Sequence, residues 1–450
     1  MENAESAEDR RAREIIVESL EAALRSADPL RLIEKHLHLD GDVLKIDDAK
    51  FDIRSAGRII VIGAGKGAGG LAVGLERLIG WRIDAGLVNI PYGVKSKLKT
   101  ERIELNEAGH PTPDESGVRG VERILELTKD LDERDLVFCL ITGGGSALLS
   151  LPAEGISLKD KAEAADALMK AGASIQELNT VRKHLSSVKG GRLAQRIHPA
   201  RIVNLIVSDV VGDPLEIIAS GPTVPDSSTF QDALRILEKY QLLDKVSEPV
   251  RRVILEGVSG RIKDSPKPDD PAFNKDFNVL LGSNCEACLA AAETAARRGM
   301  NTLFLTSFLE GEAREAGIFL ASIIREVHRS GRPAVKPCMI ICGGETTVTV
   351  RCGGRGGRNQ EVVLSSALKL AGMKGVAIAS IGTDGVDGPT DAAGAVADGR
   401  SIERGRRLGL DAEMILHNND SYRFFSELED LIMTGPTGTN VNDVTLLALI

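Results

Sequence analysis

Residues 58–70 read RIIVIGAGKGAGG. An apolar, β-branched run ends in glycines at 63, 65, 67, 69 and 70, with a lysine at 66, and a helical pattern over 67–79 follows. A buried strand passing through a glycine turn into a helix is the opening of a parallel βαβ unit. The alternation continues outward from there. Strands are predicted at 85–90 (AGLVNI), 102–106 (RIELN), 136–142 (LVFCLIT) and 202–208 (IVNLIVS), and helices at 115–129, 159–173 and 230–240. An amphipathic helix over 12–26, stopped near Pro29, precedes them. The strands are continuously apolar rather than alternating, so they read as a parallel sheet covered on both faces.

Residues 258–276 (VSGRIKDSPKPDDPAFNKD) are polar, Pro-rich and aperiodic, which marks a boundary. At about 150 residues per domain, 450 residues suggest two or three domains. The division read here is 1–270 and 271–450. Beyond the boundary, strands are predicted at 278–282, 302–306, 338–342, 346–350, 376–381 and 444–449. Gly343-Gly344-Glu345 would turn 338–342 into 346–350, giving a smaller, mixed sheet. The fold class expected is α/β, with two α/β/α-layered domains.

Composition excludes several classes. With ten Phe, three Tyr and one Trp, the cores must be built from Val, Ile, Leu and Ala. A net charge of -9 argues against nucleic-acid binding by bulk charge. No run approaches about 18 uninterrupted apolar residues, so no membrane span is expected. The N-terminus, MENAESAEDRRARE, is too polar for a secretory signal. Of the cysteines, Cys285 and Cys288 form a CxxC with neither a second pair nor a histidine pair nearby, and Cys139, Cys338 and Cys342 lie in apolar strands. A cytoplasmic, thiol-reduced protein is expected.

The first glycine loop holds two overlapping fingerprints, Gly63-x-Gly65-x-x-Ala68 and Gly65-x-Gly67-x-x-Gly70. Three readings stay open: a nicotinamide-dinucleotide site, an anion or phosphoryl site where Gly65 and Gly67 offer amides and Lys66 its charge, and a structural turn. A dinucleotide site wants an acid at the end of the next strand. Asn89 and Ile90 stand there, and Asp84 lies at the wrong end. The second loop, LITGGGSALLSLP (140–152), can form a nest at Gly143, Gly144 and Gly145, with Ser146 as helix cap and ligand hydroxyl. It lacks the last glycine of a hydrolase G-x-S-x-G elbow. No G-x-x-x-x-G-K-[ST] motif occurs, so this is not a P-loop enzyme.

Other candidates surround these loops. Arg182 and Lys189, seven apart in NTVRKHLSSVKGGRL, would share a helix face that meets an acidic ligand. Asp209 follows a continuous apolar strand, at the edge where open parallel sheets bind ligands, and Asp213 follows it. Such carboxylates can orient a hydroxyl, accept its proton or hold Mg²⁺. His110 lies just after a strand in AGHPTPD. In the C-terminal half, Glu345 sits at a turn, and Arg358 and Asn359 stand just before a helix, where an arginine can grip phosphate or carboxylate bidentately. Asp384, Asp387 and Asp391 follow a strand without EF-hand spacing. Anion loops, strand-end carboxylates and loop cations are the parts that phosphoryl transfer needs.

The ordered set GAGKGAGG, EAGHPTPDE, TGGGSALL, NTVRKHLSSVKGGRLA, SDVVGDPLEIIASGPT, GGETTV, GGRNQE and GTDGVDGPTDAAG resembles the glycerate 2-kinase family whose C-terminal part is called MOFRL. The resemblance runs from about residue 12 to 450. It implies ATP-dependent phosphorylation of D-glycerate to 2-phosphoglycerate with Mg²⁺ or a similar divalent ion. It also implies a Rossmann-like N-terminal domain, a MOFRL-containing C-terminal domain, and an active site in the cleft between them. Partners would be small molecules, with a homodimer as one assembly it allows. Members of the family often carry a hydroxypyruvate reductase label, so an NAD(P)H-dependent reductase is the rival class, and a non-catalytic sensor of small acids or nucleotides a third. The resemblance puts Lys66 and Arg358 in catalytic roles, and Asp209, from its place after the strand, is read as the catalytic carboxylate. Gly65, Gly67, Gly143–Gly145, Ser146, His110, Arg182, Lys189 and Asn359 would bind substrate or phosphate, and Asp213, Glu345, Asp384 and Asp387 the metal.

Overall fold

The computed structural model describes residues 6–450. The chain divides into two units, one of Leu32–Leu281 and one that joins the segment ending at Arg31 to Gly282–Ile450. The first unit begins with a small antiparallel sheet, β1 (Leu37–Asp40), β2 (Val43–Ile46) and β3 (Ala49–Asp52), in sequential order. These short strands carry charged residues on their exposed face and were not read from the sequence.

The main sheet of this unit contains β4 (Ile59–Ala64), β5 (Ala85–Pro91), β6 (Ile103–Ala108), β7 (Leu136–Ile141), β8 (Arg201–Val207) and β9 (Phe277–Gly282). Its spatial order is β6-β5-β4-β7-β8-β9, and the ladders β4–β5, β4–β7, β5–β6 and β7–β8 are parallel. Every residue of β4 and β7 is buried, which the uninterrupted apolar runs required. Helices Ala68–Ile79 and Glu115–Leu127 match the sequence reading closely. The strand order reverses between β4 and β7, and both glycine loops leave their carboxyl ends there. A doubly wound sheet opens a ligand crevice at such a switch point.

The Pro-rich segment 258–276 lies within this unit. It leads into β9, the sixth strand of the same sheet, so the unit closes after β9 rather than at residue 270.

The second unit is built on β10 (Asn301–Leu309), β11 (Cys338–Gly344), β12 (Val376–Gly382), β13 (Gly394–Asp398), β14 (Leu431–Ile432) and β15 (Asp443–Leu449). Their order is β10-β11-β15-β12-β13-β14; β10–β11 is parallel and the other ladders antiparallel. The sheet is mixed, as expected, but the hairpin over 338–350 does not form. Gly344 has φ +147, and a side chain there would fall 2.2 Å from the Leu309 carbonyl oxygen, so the chain leaves the sheet. Val350 is 73% exposed, whereas all of β15 is buried, and β15 takes the antiparallel place beside β11.

The N-terminal helix, Ala7–Ser26, belongs to this second unit and not to the first domain where the sequence reading had placed it. Its buried Arg13 donates to Asp398 (2.6 Å) and Asp430 (2.7 Å), at the ends of β13 and of the helix-to-β14 turn. Among the described residues, no helix is long and apolar enough to cross a membrane.

Candidate active site

The register of β4 on β7 pairs Ala64 with Ile141, so the two glycine loops start level. The first loop then bonds to β5 on one side and to the second loop on the other. The Gly65 amide donates to the Asn89 carbonyl (3.1 Å) and the Lys66 amide to the Gly143 carbonyl (2.8 Å). The Gly67 amide donates to Thr142 Oγ1 (2.9 Å). Gly65 has φ +144, and a side chain there would meet that hydroxyl at 2.1 Å. The first loop therefore spends these three N–H groups on protein. Gly65 and Gly67, read from the sequence as amide donors to phosphate, instead donate to Asn89 and Thr142, and Gly65 lets the loop pass close to Thr142.

Asn89 holds the position where a dinucleotide site would carry an acid. It is fully buried, and its amide donates to the carbonyls of Gly117 (3.1 Å) and Leu148 (2.8 Å). Asp84 caps the other end of the sheet, accepting from the Ile59 amide at 2.7 Å.

The second loop gathers the remaining candidates of this unit. A side chain built on Gly143 would fall 2.5 Å from Asp209 Oδ2, and one on Gly144 2.9 Å from His110 Nε2 and 3.3 Å from Lys66 Cγ. Asp209, His110 and Lys66 thus surround a glycine run that has no side chains to keep them apart. Ser146 is not the helix cap; Gly144 is, and the Ser146 hydroxyl lies 3.2 Å from that of Ser220. Arg182 and Lys189 do not share a helix face, because the helix Ile175–His184 ends between them. Lys189 follows in a turn closed by Gly190 and Gly191, both left-handed, and its ammonium donates to the Ala219 carbonyl at 3.0 Å. Asp213 occupies a left-handed turn position in the same segment.

In the second unit, Arg358 begins the helix Arg358–Leu370. Its fork donates to both oxygens of Asp443, at 2.6 and 3.0 Å, and to Glu345 at 2.8 Å. Burial works against this charge, yet the Asp443 carboxylate outweighs it and holds the guanidinium above its usual value. Asp443 pairs in register with Gly344 on β11 and Gly382 on β12, so glycines flank it on both sides. Its partnership with Arg358 spans 85 residues and leaves no local signal.

Asn359 is buried, donating to Asp387 (3.3 Å) and accepting from Ser380 (2.5 Å), and with Gly343, Gly344 and Asp443 it lines a small pocket at the sheet edge. Asp387 accepts from the amides of Asn359 (3.0 Å) and Gln360 (2.9 Å), capping the helix that Gly357 enters without a side chain of its own. Asp384 accepts from the Val386 amide at 3.1 Å.

These contacts engage two of the four residues read as metal ligands. Glu345 is taken by Arg358 and Asp387 by helix amides. Among the described residues, no three His, Cys, Asp or Glu gather as a metal site.

Burial outweighs the two amides and pushes Asp387 up to about 6. A folded value above the ordinary carboxylate value means the fold holds a proton that the unfolded chain releases. The stability contributed by this group is full at low pH and is lost as pH rises through about 6. Asp387→Asn keeps an acceptor for the helix but cannot ionise. The thermal midpoint of the wild type relative to this variant should fall between about pH 4 and pH 6 and level off above. Parallel melting curves across that range would sink the assignment.

Two family models match the chain: a domain of unknown function (DUF4147) over residues 15–255, and the MOFRL family over 338–443. A glycerate 2-kinase of Pyrococcus horikoshii is 44% identical, over 96% of each chain. The crystal structure of a glycerate kinase from Thermotoga maritima is 42% identical, with a TM-score of 0.86, covering 97% of this chain and 99% of that one. A protein of Agrobacterium vitis that carries a hydroxypyruvate reductase name is 41% identical, over 87% of this chain and all of its own.

Proposed function

Because this chain belongs to the glycerate kinase family, with DUF4147 followed by MOFRL, we propose that it phosphorylates D-glycerate at its 2-hydroxyl with ATP. The observation that carries this reading over the reductase is the closed first loop. The amides of Gly65, Lys66 and Gly67 are bonded to protein, and no acid follows β5. Lys66 gives this loop a cation suited to a phosphoryl group.

In the reaction, the glycerate 2-oxygen attacks the γ-phosphorus, the bond from that phosphorus to the bridging oxygen breaks, and ADP leaves. Lys66 stabilises the charge on the moving group, and Asp209 aligns the hydroxyl and takes its proton. The Gly143–Ser146 loop and His110 line the place of transfer. Arg358, fixed by Asp443 and Glu345, offers its remaining N–H groups to an acidic group of a substrate. Mg²⁺ enters as the ATP complex, neutralising the triphosphate as part of the substrate.

Purified protein given ATP and D-glycerate should release ADP and form a phosphate ester on carbon 2, read by NMR of the product. Oxidation of NADH or NADPH with hydroxypyruvate, and no ADP release, would replace the kinase with the reductase. Turnover should also cease when EDTA exceeds total divalent ion and return with added Mg²⁺. Undiminished turnover in EDTA would refute the metal-nucleotide substrate.

A further inference from the structure

The first unit brings two buried lysines and a half-buried arginine together. Lys161, in the helix Leu158–Lys170, is 7% exposed, and its ammonium donates to Ser150 Oγ at 3.3 Å. Lys189 is 1% exposed, its ammonium on the Ala219 carbonyl. Arg182 is half-buried. Lys189 lies close enough to feel the charge of both others, and Lys161 that of Arg182. The acids around them are committed elsewhere. Asp226 and Glu216 pair with Lys183, and Asp264 with His184, both on the same helix as Arg182.

Cations withdrawn from water beside other cations are costly unless a counter-charge arrives. Burial, with Arg182 adding to it, pushes the Lys161 ammonium down to about 7, and burial puts Lys189 well below its usual value. Negative charge brought beside these groups would favour their charged forms.

The cluster stands directly behind the second glycine loop. Ala219, whose carbonyl takes Lys189, packs on Gly145, where a side chain would fall 2.8 Å from its Cβ. Ser220 joins the hydroxyl of Ser146 to Asn179 (3.0 Å), on the helix that carries Arg182. Ala219, Ser220 and Gly221 all have positive φ, and the amides of Gly190 and Gly191 hold the carbonyls of Ser220 (3.0 Å) and Gly221 (2.7 Å). The turn is thus clamped from the residues that follow Lys189.

We propose that Lys161, Arg182 and Lys189 form an oxyanion pocket behind the second glycine loop that takes a charged group of one substrate, a carboxylate or a phosphate. Lys161 is the new member; among the other lysines of its helix nothing in the sequence singles it out. The identity of the ligand rests on the kinase reading, while the pocket itself does not.

The test uses the full chain, with Lys161→Met and Lys161→Arg. Removing an unpaired buried charge should leave the thermal midpoint of Lys161→Met at or above that of wild type. Inorganic phosphate should raise the midpoint of the wild type and of Lys161→Arg but not of Lys161→Met. In turnover, KM should rise on the order of tenfold in Lys161→Met for one substrate only. A rise for D-glycerate places the carboxylate in the pocket; a rise for ATP places a phosphate there. Unchanged KM for both substrates, with the phosphate shift kept, would overturn the pocket. If Lys161→Met fails to fold, Arg182→Met at the half-exposed position carries the same readouts and the same overturning result. A wild type without kinase activity would remove the kinase reading alone, and the phosphate shift would still decide the pocket.

Discussion

Lys66→Ala is expected to lower turnover by roughly 10²–10³-fold while the fold persists. The scale is that of losing one preorganised electrostatic donor. Backbone contacts do not depend on the side chain, since the amide of residue 66 keeps its bond to the Gly143 carbonyl whichever residue stands there. Lys66 is only partly buried, so its side chain adds little to the core. Substitutions outside the core usually shift stability by less than about 0.5 kcal/mol. Turnover and thermal midpoint measured on the same preparation decide the matter. A folded variant with near-wild-type turnover would end the catalytic role. The dinucleotide alternative makes a different forecast, because there backbone amides do the binding and the alanine variant would keep its cofactor affinity.

Arg358→Lys is expected to lose about 10²-fold or more in kcat/KM, equivalent to about 2.7 kcal/mol of transition-state stabilisation. A guanidinium can lie flat against both oxygens of Asp443 and still reach Glu345, as it does here. An ammonium is a point charge and cannot hold that geometry. Lysine is the informative substitution because it keeps the charge. Alanine would leave buried Asp443 without its partner, a loss on the order of 3–5 kcal/mol that would confuse stability with function. Near-normal kinetics in a folded lysine variant would mean that Arg358 serves only to neutralise Asp443.

The sequence by itself determined five of the six strands of the first unit's main sheet, the two glycine loops, and two cations, Lys66 and Arg358, that stand beside glycine runs. These are local properties. A run of buried β-branched residues specifies a strand covered on both faces, and a glycine turn specifies where the backbone must pass close to a neighbour. Lys66 and Arg358 stand beside such turns and could be found there.

Tertiary structure alone decided the rest, because it depends on partners far apart in the chain. The stretch 346–350 has strand-like composition but loses its place to β15, about 100 residues later, because β15 can be buried completely and Val350 cannot. The N-terminal helix joins the C-terminal unit through Arg13 and two aspartates near residues 398 and 430. Glu345 and Asp387 look like metal ligands in the sequence and are consumed by a guanidinium and a helix end. Lys161 looks like any surface lysine and is buried beside two other cations. A charge carries no local sign of its counter-charge, so which of these groups remain for a ligand is settled only when the chain has folded.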